Sequence, residues 1–344
     1  MHAHRSPRRA SIAIVGGETL LGKEIHEMLE ARKLGVDLVA SLDTALLDTA
    51  AASIVTKGPD EPLVMTSLAL ADLSAAQIVI LAADKASGHA VYEKTRGSKT
   101  PPVLIDLTGA LEDLAESRLR APMVETAGPD AKTAIQTIAH PAAIAVALLL
   151  THLQKARPIR RSVIEIFEPV SERGKAGIDE LQKQTVALLS FKPLPKEIFD
   201  AQAAYNMLSQ YGSDAPISLE EIELKIDRHL ASLLARSGAP MPSLRLMQAP
   251  VFHGYSISVW VEFEENPGMD GIFQSLGSSH IDVRMKDHEP PTNVGVAGQS
   301  GITVGSITQD RNQPRAWWLW MAADNLQIVA ENAGEVVREY LESA

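Results

Sequence analysis

Apolar residues along the first third of the chain fall into short continuous runs separated by stretches with helical spacing. Ser11–Val15 reads Ser-Ile-Ala-Ile-Val and stops at Gly16-Gly17, and Leu20–Ala31 then places Leu21, Ile25, Met28 and Leu29 at helical intervals. That predicts a strand, a glycine turn and a helix. Further strand-like runs lie at Val36–Ala40, Gln77–Ala82 and Pro102–Ile105, with helical or looping stretches between them. Strands alternating with helices imply right-handed crossovers and a largely parallel sheet.

The rhythm changes after residue 140. A helix is expected from Pro141 to Lys155, a strand over Ser162–Phe167 and an amphipathic helix over Ala176–Leu189. Pro193 and Pro195 interrupt the periodicity, which resumes as a helix over Leu219–Leu234. Strands follow at Ser243–Met247, Ser256–Phe263 and Gly301–Thr308. A last strand holds Trp318 and Trp320 on one face and Trp317 on the other. A closing helix, Asn325–Leu341, is placed to return to the first domain. The expected organisation is a Rossmann-like α/β domain over 1–140, an α+β domain over 141–321, and a helix in 322–344 that completes the first.

At 344 residues, 45% of them hydrophobic, the chain has material for two cores. Its longest apolar run, Ala142–Leu150, is less than half of the roughly 20 residues a bilayer requires, so no membrane association is expected. Arg5, Arg8 and Arg9 precede no signal-peptide pattern and read as a disordered basic tail, which leaves a cytoplasmic setting as the expectation. A net charge of −11 without a basic patch interleaved with aromatics argues against nucleic acid. The ten histidines show no metal-ligand spacing with nearby carboxylates, so no metal is expected. The chain contains no cysteine, which excludes disulfides, thiolate metal sites and a cysteine nucleophile.

The turn after the first strand is a partial dinucleotide fingerprint. Gly16, Gly17 and Gly22 lie in it, but Thr19 holds the middle position, where a side chain is expected to obstruct phosphates, and Glu18 adds a negative charge. A tight strand-to-helix turn that binds nothing is the competing reading. Asp43 stands where a ribose 2′-hydroxyl would be read and no arginine is present for a 2′-phosphate, which favours NAD over NADP.

Several segments together resemble aspartate-semialdehyde dehydrogenases. They are the glycine turn, Ile138-Ala139-His140-Pro141, the run Pro169-Val170-Ser171-Glu172-Arg173-Gly174-Lys175-Ala176-Gly177 with Asp179-Glu180-Leu181, the stretch Ala249 to Ser256, and Ala323-Asp324-Asn325-Leu326. The resemblance covers about 11–341 and implies a nucleotide-binding domain, a domain carrying substrate contacts and a dimer interface, and hydride transfer through a cysteine thioester.

The departures fall at the chemistry. The cysteine position matches Ala143 if the prolines are aligned, or Pro141 if the spacing to the Val-Ser motif is kept. The family glutamine matches Glu168, the substrate-carboxylate arginine matches Gln248 and the catalytic histidine matches Tyr255. The phosphate-binding segment resembles Leu107 to Glu112 without its arginine, and Gln327 to Glu331 replace the family's residues after Asn325-Leu326.

An oxygen nucleophile assembled from Ser171, Ser256 or Thr108 with His140, His253 or Glu168 lacks the positioned base it needs. Ser171 is expected to order the loop before its helix, and His140 to sit near an N-cap beside Pro141. His253 and Tyr255 share a face if that segment is extended, which would bring an imidazole to the vacated position, but a histidine satisfied by ordinary hydrogen bonds near a domain cleft is the favoured reading. The leading expectation is a homodimeric homologue, inactive in the family reaction, that binds, scaffolds or regulates. The alternatives are an NAD(P)-dependent oxidoreductase without a thioester and a heteromeric partner of an active paralogue.

Overall fold

The structure, a computed structural model, describes residues 10–43, 53–56, 62–67, 73–125 and 133–343, with 43, 53–56 and 62–67 described by their backbone. The basic stretch holding Arg5, Arg8 and Arg9 lies outside the described residues. The chain divides into two compact units, one taking the chain up to Ala139 together with Val329 onward, the other running from His140 to Ile328.

In the first unit, β1 (Ala10–Val15), α1 (Leu20–Ala31), β2 (Val36–Asp43), β3 (Ser53–Thr56), β4 (Pro62–Ser67), β5 (Ile78–Leu81), α2 (Lys85–Thr95), β6 (Val103–Asp106), β7 (Ser117–Arg120) and β8 (Ile135–Ile138) follow in order. They build an eight-stranded sheet in the order β3-β4-β2-β1-β5-β6-β8-β7. Every neighbouring pair is parallel except β3 with β4. β1 and β5 are buried throughout apart from Ser11, as a sheet covered on both faces requires. Val15, Val79, Leu81 and Leu104 join Val91 of α2 in one apolar cluster.

Gly16 closes β1 with φ +89°, and a Cβ there would lie 2.6 Å from the Ala83 Cβ. A Cβ at Gly22 would lie 2.0 Å from the Gly16 carbonyl oxygen, so only glycine lets α1 start against the strand end.

The turns from Val329 onward of the last helix, α7 (Asn325–Ser343 in the whole chain), pack within this unit. A Cβ at Gly334 would lie 2.5 Å from Met28 Sδ, and Arg32 donates to Glu335 at 2.6 Å. Arg120 is 1% exposed, the bulkiest fully buried side chain. Its guanidinium donates to Glu125 at 2.9 Å, Gln136 at 2.9 Å and Glu339 at 2.8 Å, tying β7, β8 and α7. Burial works against the cation, but Glu339 and Glu125 more than offset it and hold its ionisation above the ordinary arginine value.

The second unit begins with α3 (Pro141–Ala156), β9 (Ile159–Glu168), α4 (Gly174–Leu189), α5 (Leu219–Leu234) and β10 (Ser243–Gln248). β11 (Tyr255–Phe263), α6 (Gly268–Ser275), β12 (Ile281–Val283), β13 (Ile302–Gln309) and β14 (Ala316–Ala323) complete it. The strands form a six-stranded sheet ordered β10-β9-β11-β14-β13-β12. Its outer pairs are parallel and its three inner pairs antiparallel, so this sheet is mixed. α3 is buried from Pro141 to Leu150 and packs on β9, α5 and α6, which accounts for its almost uninterrupted apolar run. No helix among the described residues is long and apolar enough to cross a membrane.

The opposite sheet face carries aromatics. Trp318 is 43% and Val163 44% exposed, while Trp317 turns inward at 4%. Both Trp260 and Trp318 donate their indole N–H to Asp310, at 2.8 and 2.9 Å, and Arg161 lies over the Trp260 ring. Phe167 and Trp320 pack with ring centroids 5.9 Å apart.

Replacing Arg120 by leucine leaves Glu125 and Glu339 without their shared cation in a mostly buried setting. We expect the first unit to lose about 3 kcal/mol, read as a matching drop in hydrogen-exchange protection of Ile80 and its neighbours.

Candidate functional site

Three of the positions that the family resemblance singles out meet at one end of the second sheet. Glu168 ends β9, Gln248 ends β10 in direct register with it, and Tyr255 begins β11 one residue before Ser256, which pairs with Phe167. Parallel pairing of β9 with β10 and antiparallel pairing of β9 with β11 place two strand ends and one strand start side by side. All three side chains belong to fully buried residues.

Each residue is held from within the unit. Glu168 is met by Arg173 Nη2 at 2.5 Å, a partner from the turn between β9 and α4. The Gln248 amide donates to the carbonyls of Glu168 at 2.7 Å and Ala249 at 3.0 Å, and its oxygen accepts the Tyr211 hydroxyl at 2.6 Å. Glu172 accepts from Asn325 Nδ2 at 2.9 Å. Asn325 Oδ1 in turn accepts from Ser171 Oγ at 3.2 Å and from the Gly254 amide at 3.1 Å. Asn325 therefore staples the β9–α4 turn, the entry to β11 and the root of α7.

His140 is the N-cap of α3, its Nδ1 accepting from the Ala142 amide at 3.3 Å. Its own backbone amide donates to His229 Nδ1 at 2.8 Å. Neutral His140 must then carry its proton on Nε2, which lies 4.0 Å from Glu172 Oε2. Pro141 and Ala143, the two candidate cysteine positions, are both buried in the first turn of α3.

Burial dominates the electrostatics. It depresses His140 well below the ordinary imidazole value, helped by Lys225, His229 and Arg173. It raises Glu168 against the pull of Arg173, and raises Glu172 to about 7 with help from the Glu168 charge. It pushes the Tyr211 and Tyr255 hydroxyls up, with Glu168 reinforcing it at Tyr211 and Glu172 then Glu168 at Tyr255. Glu168 Oε2, Arg173 Nε and Tyr255 Oη lie buried without an aligned hydrogen-bond partner. Tyr255 Oη stands beside the Glu172 carboxyl.

The shared face that an extended segment would give His253 and Tyr255 does not form. His253 is exposed and Tyr255 fully buried, because Gly254 between them has φ +79° and breaks the extended alternation. A Cβ at Gly254 would lie 2.7 Å from the Asn293 carbonyl oxygen, so the break is built in. Ser171 keeps to the loop-ordering part, its amide donating to the Phe252 carbonyl at 3.0 Å. The residues without an assigned role in the sequence are Glu172, Arg173, Tyr211 and Asn325. Their signal is two adjacent opposite charges in a turn flanked by Val170 and Ser171, both buried here.

In the first unit Thr19 is the N-cap of α1. Its hydroxyl accepts from the Gly22 amide at 2.9 Å and points to the carbonyls of Gly16 at 2.8 Å and Ala82 at 2.9 Å. The side chain expected to obstruct phosphates is thus turned into the loop by capping. Gly17 donates to the Leu42 carbonyl at 3.2 Å, and exposed Lys23 brings positive charge to the first turn of α1. The Asp43 side chain lies outside the described residues. Thr108 bonds Asp106 through its amide at 2.8 Å and its hydroxyl at 2.7 Å, and Gly109 and Leu111 amides complete the wrap around that carboxylate. Among the described residues no three His, Asp or Glu side chains gather to hold a metal ion.

Residues 150–328 match the model of the semialdehyde dehydrogenase dimerisation domain. The chain belongs to the semialdehyde dehydrogenase family. It is 28% identical over 328 residues to the USG-1 protein homolog of Pseudomonas aeruginosa, covering 92% of this chain and 93% of that one. It is 30% identical over 207 residues to an aspartate-semialdehyde dehydrogenase of Rickettsia bellii, covering 58% and 61% of the two chains. A solved aspartate semialdehyde dehydrogenase II of Vibrio cholerae, complexed with ASA, superposes with a TM-score of 0.82 at 22% identity over 97% of this chain and 99% of that one.

Arg173 is the cation on which the buried carboxyls rely. Arg173→Leu should lower the unfolding free energy of this unit by about 3 kcal/mol, with a larger loss at pH 8 than at pH 5. The sign follows from Glu168: without its cation the folded-state carboxyl titrates higher still, and a raised acid loses folded-state stability as pH rises. Urea unfolding at the two pH values followed by tryptophan fluorescence checks it.

Proposed function

We propose that this semialdehyde dehydrogenase homologue does not carry out thioester chemistry and acts instead as a binding, scaffolding or regulatory protein built on the family fold. The observation that carries this reading is the buried network of Glu168, Arg173, Gln248 and Tyr211, in a chain with no cysteine. Acyl transfer needs an exposed nucleophile and a base that reaches it. At the substituted positions Ala143 offers no nucleophile, Gln248 carries no charge for a substrate carboxylate, and Tyr255 is a hydroxyl held far above the range of a useful base.

The family fold implies NAD or NADP. The α1 turn fits a nucleotide pyrophosphate in two respects: Gly16 and Gly22 allow the close strand–helix approach, and Thr19 faces inward. Gly16, Gly17, Thr19 and Gly22 would shape the cradle and not donate to the phosphates, because their amides already bond Leu42, Gly16 and the Thr19 hydroxyl, and Asp43 would hold the ribose. When bound, such a cofactor supplies hydride exchange. Retained nucleotide binding would serve a ligand-responsive scaffold, and also supports the second reading of an oxidoreductase that needs no covalent intermediate. A heteromeric partnership with a cysteine-containing paralogue would use the same dimerisation domain.

The exposed aromatic face of the second sheet is the surface we assign to a homodimer, since Trp318 and Val163 would otherwise stay in water. Trp318→Glu should then convert a dimer to a monomer in sedimentation velocity, with unchanged far-ultraviolet circular dichroism.

An assay of phosphate-dependent NAD or NADP reduction with aspartate semialdehyde tests the main reading. Turnover at least about a thousandfold below that of a cysteine-containing relative is expected, the scale on which loss of a covalent nucleophile is felt. Turnover closer than that overturns it. On the same sample, a rise in Tm with millimolar NAD or NADP would establish retained nucleotide binding.

A further inference from the structure

The buried carboxyls and Arg173 do not balance. Glu168 and Glu172 lie beside one guanidinium, so the cluster is electrically neutral only when one carboxyl carries a proton. Glu168 has Arg173 at 2.5 Å, whereas Glu172 is bonded by the Asn325 amide at 2.9 Å beside His140 Nε2 at 4.0 Å and the Tyr255 hydroxyl, and burial with the Glu168 charge outweighs the pull of Arg173 and of these hydrogen bonds on it. The proton therefore belongs on Glu172. Its side chain is 13% exposed against 0% for Glu168, so Glu172 also has the shorter route to water.

We propose that Glu172 is a proton-held latch: protonated, it keeps the β9–α4 turn docked on Asn325, and on losing the proton it swings to water and frees Asn325 with the Gly254 amide and Ser171 hydroxyl that Asn325 holds. The groups facing it are Glu168 from β9, Arg173 from its own turn, His140 from α3 with Lys225 and His229 of α5 behind it, Tyr211 and Tyr255. Of the two carboxyls, Glu172 is the one whose side chain reaches solvent. His140 is held neutral, the tyrosines are held protonated and Arg173 is held charged.

The direction of the linkage is fixed by burial. The docked carboxyl titrates at about 7 and a solvated one at its ordinary 4.5, so the docked form binds the proton more tightly. Docking is then strongest in mild acid and weakens as pH rises from 4.5 to 7, beyond which it levels off. Between pH 5.5 and 7.5 the docked-to-free ratio should fall roughly twentyfold. The device is independent of what the site binds, so its failure would leave the proposed function standing.

Hydrogen exchange of the full chain, corrected for the intrinsic pH dependence of exchange, reads the latch at the Gly254 amide, with Ile164 in the adjacent core as reference. Protection at Gly254 relative to Ile164 should fall more than about tenfold between pH 5.5 and 7.5. Equal relative protection at both values overturns the proposal in the wild-type protein alone. Glu172→Gln, which is neutral and still accepts from Asn325, should keep high protection at both. A pH response that survives in this variant assigns the titration to another group and also overturns it.

Discussion

The second unit turns on one ion pair, Arg173 to Glu168, set where three strand ends meet. A buried carboxylate without a cation would cost several kcal/mol, and Glu168 is fully buried. Arg173 comes from the adjoining turn, close enough in sequence to be held by the short stretch of Val170 to Gly174. Once it is seated, the Gln248 amide can bridge the Glu168 and Ala249 carbonyls and receive the Tyr211 hydroxyl. The ion pair thus ties the turn before α4 to the end of β9, and Gln248 ties the loop bearing Tyr211 and the end of β10 to the same residue's backbone.

Glu168, Gln248 and Tyr255 consequently form one arrangement. Glutamate at position 168 requires a cation, and position 173 provides it. A neutral amide at position 248 avoids a second cation beside Arg173 and uses its donors and acceptor in full. Tyrosine at position 255 fills its place with an aromatic body against His140, the ring centroids 6.5 Å apart. Glu168 Oε2, Arg173 Nε and Tyr255 Oη are the polar atoms of this arrangement left without an aligned partner.

Much of the fold was legible because its signals are local. Leu20–Ala31 and Leu219–Leu234 appear at their expected bounds, for each begins at a side-chain cap, Thr19 in one case and the Ser218–Glu221 capping box in the other. β7 carries no strand signal because Ser-Arg-Leu-Arg reads as polar, and the burial of its Arg120 relies on Gln136 and Glu339 as well as on nearby Glu125. α2 escaped because Lys-Ala-Ser-Gly-His opens it without an apolar stripe, leaving the Asp84 cap as its marker. The site was legible as a set of departures, since Glu168, Gln248 and Tyr255 sit in recognisable motifs. The way these residues are tied together was not, because the link from Arg173 to Glu168 and from Asn325 to Glu172 depends on tertiary geometry that no spacing rule encodes.

The polar filling of this site is not the only one physics allows. Apolar residues of similar volume in place of a buried ion pair often leave a protein as stable or more so. Stability therefore does not explain why two carboxyls, a guanidinium, two tyrosines and a histidine share an interior. What such a cluster adds over an apolar core is a fixed orientation for every group and a sensitivity to charge. Asn325 is where these effects leave the cluster, because the same amide that answers Glu172 also holds the Gly254 amide and the Ser171 hydroxyl and belongs to the first residue of α7. A change of one proton in the interior is thus translated into the hold on three separate segments. An apolar core would transmit nothing of the kind.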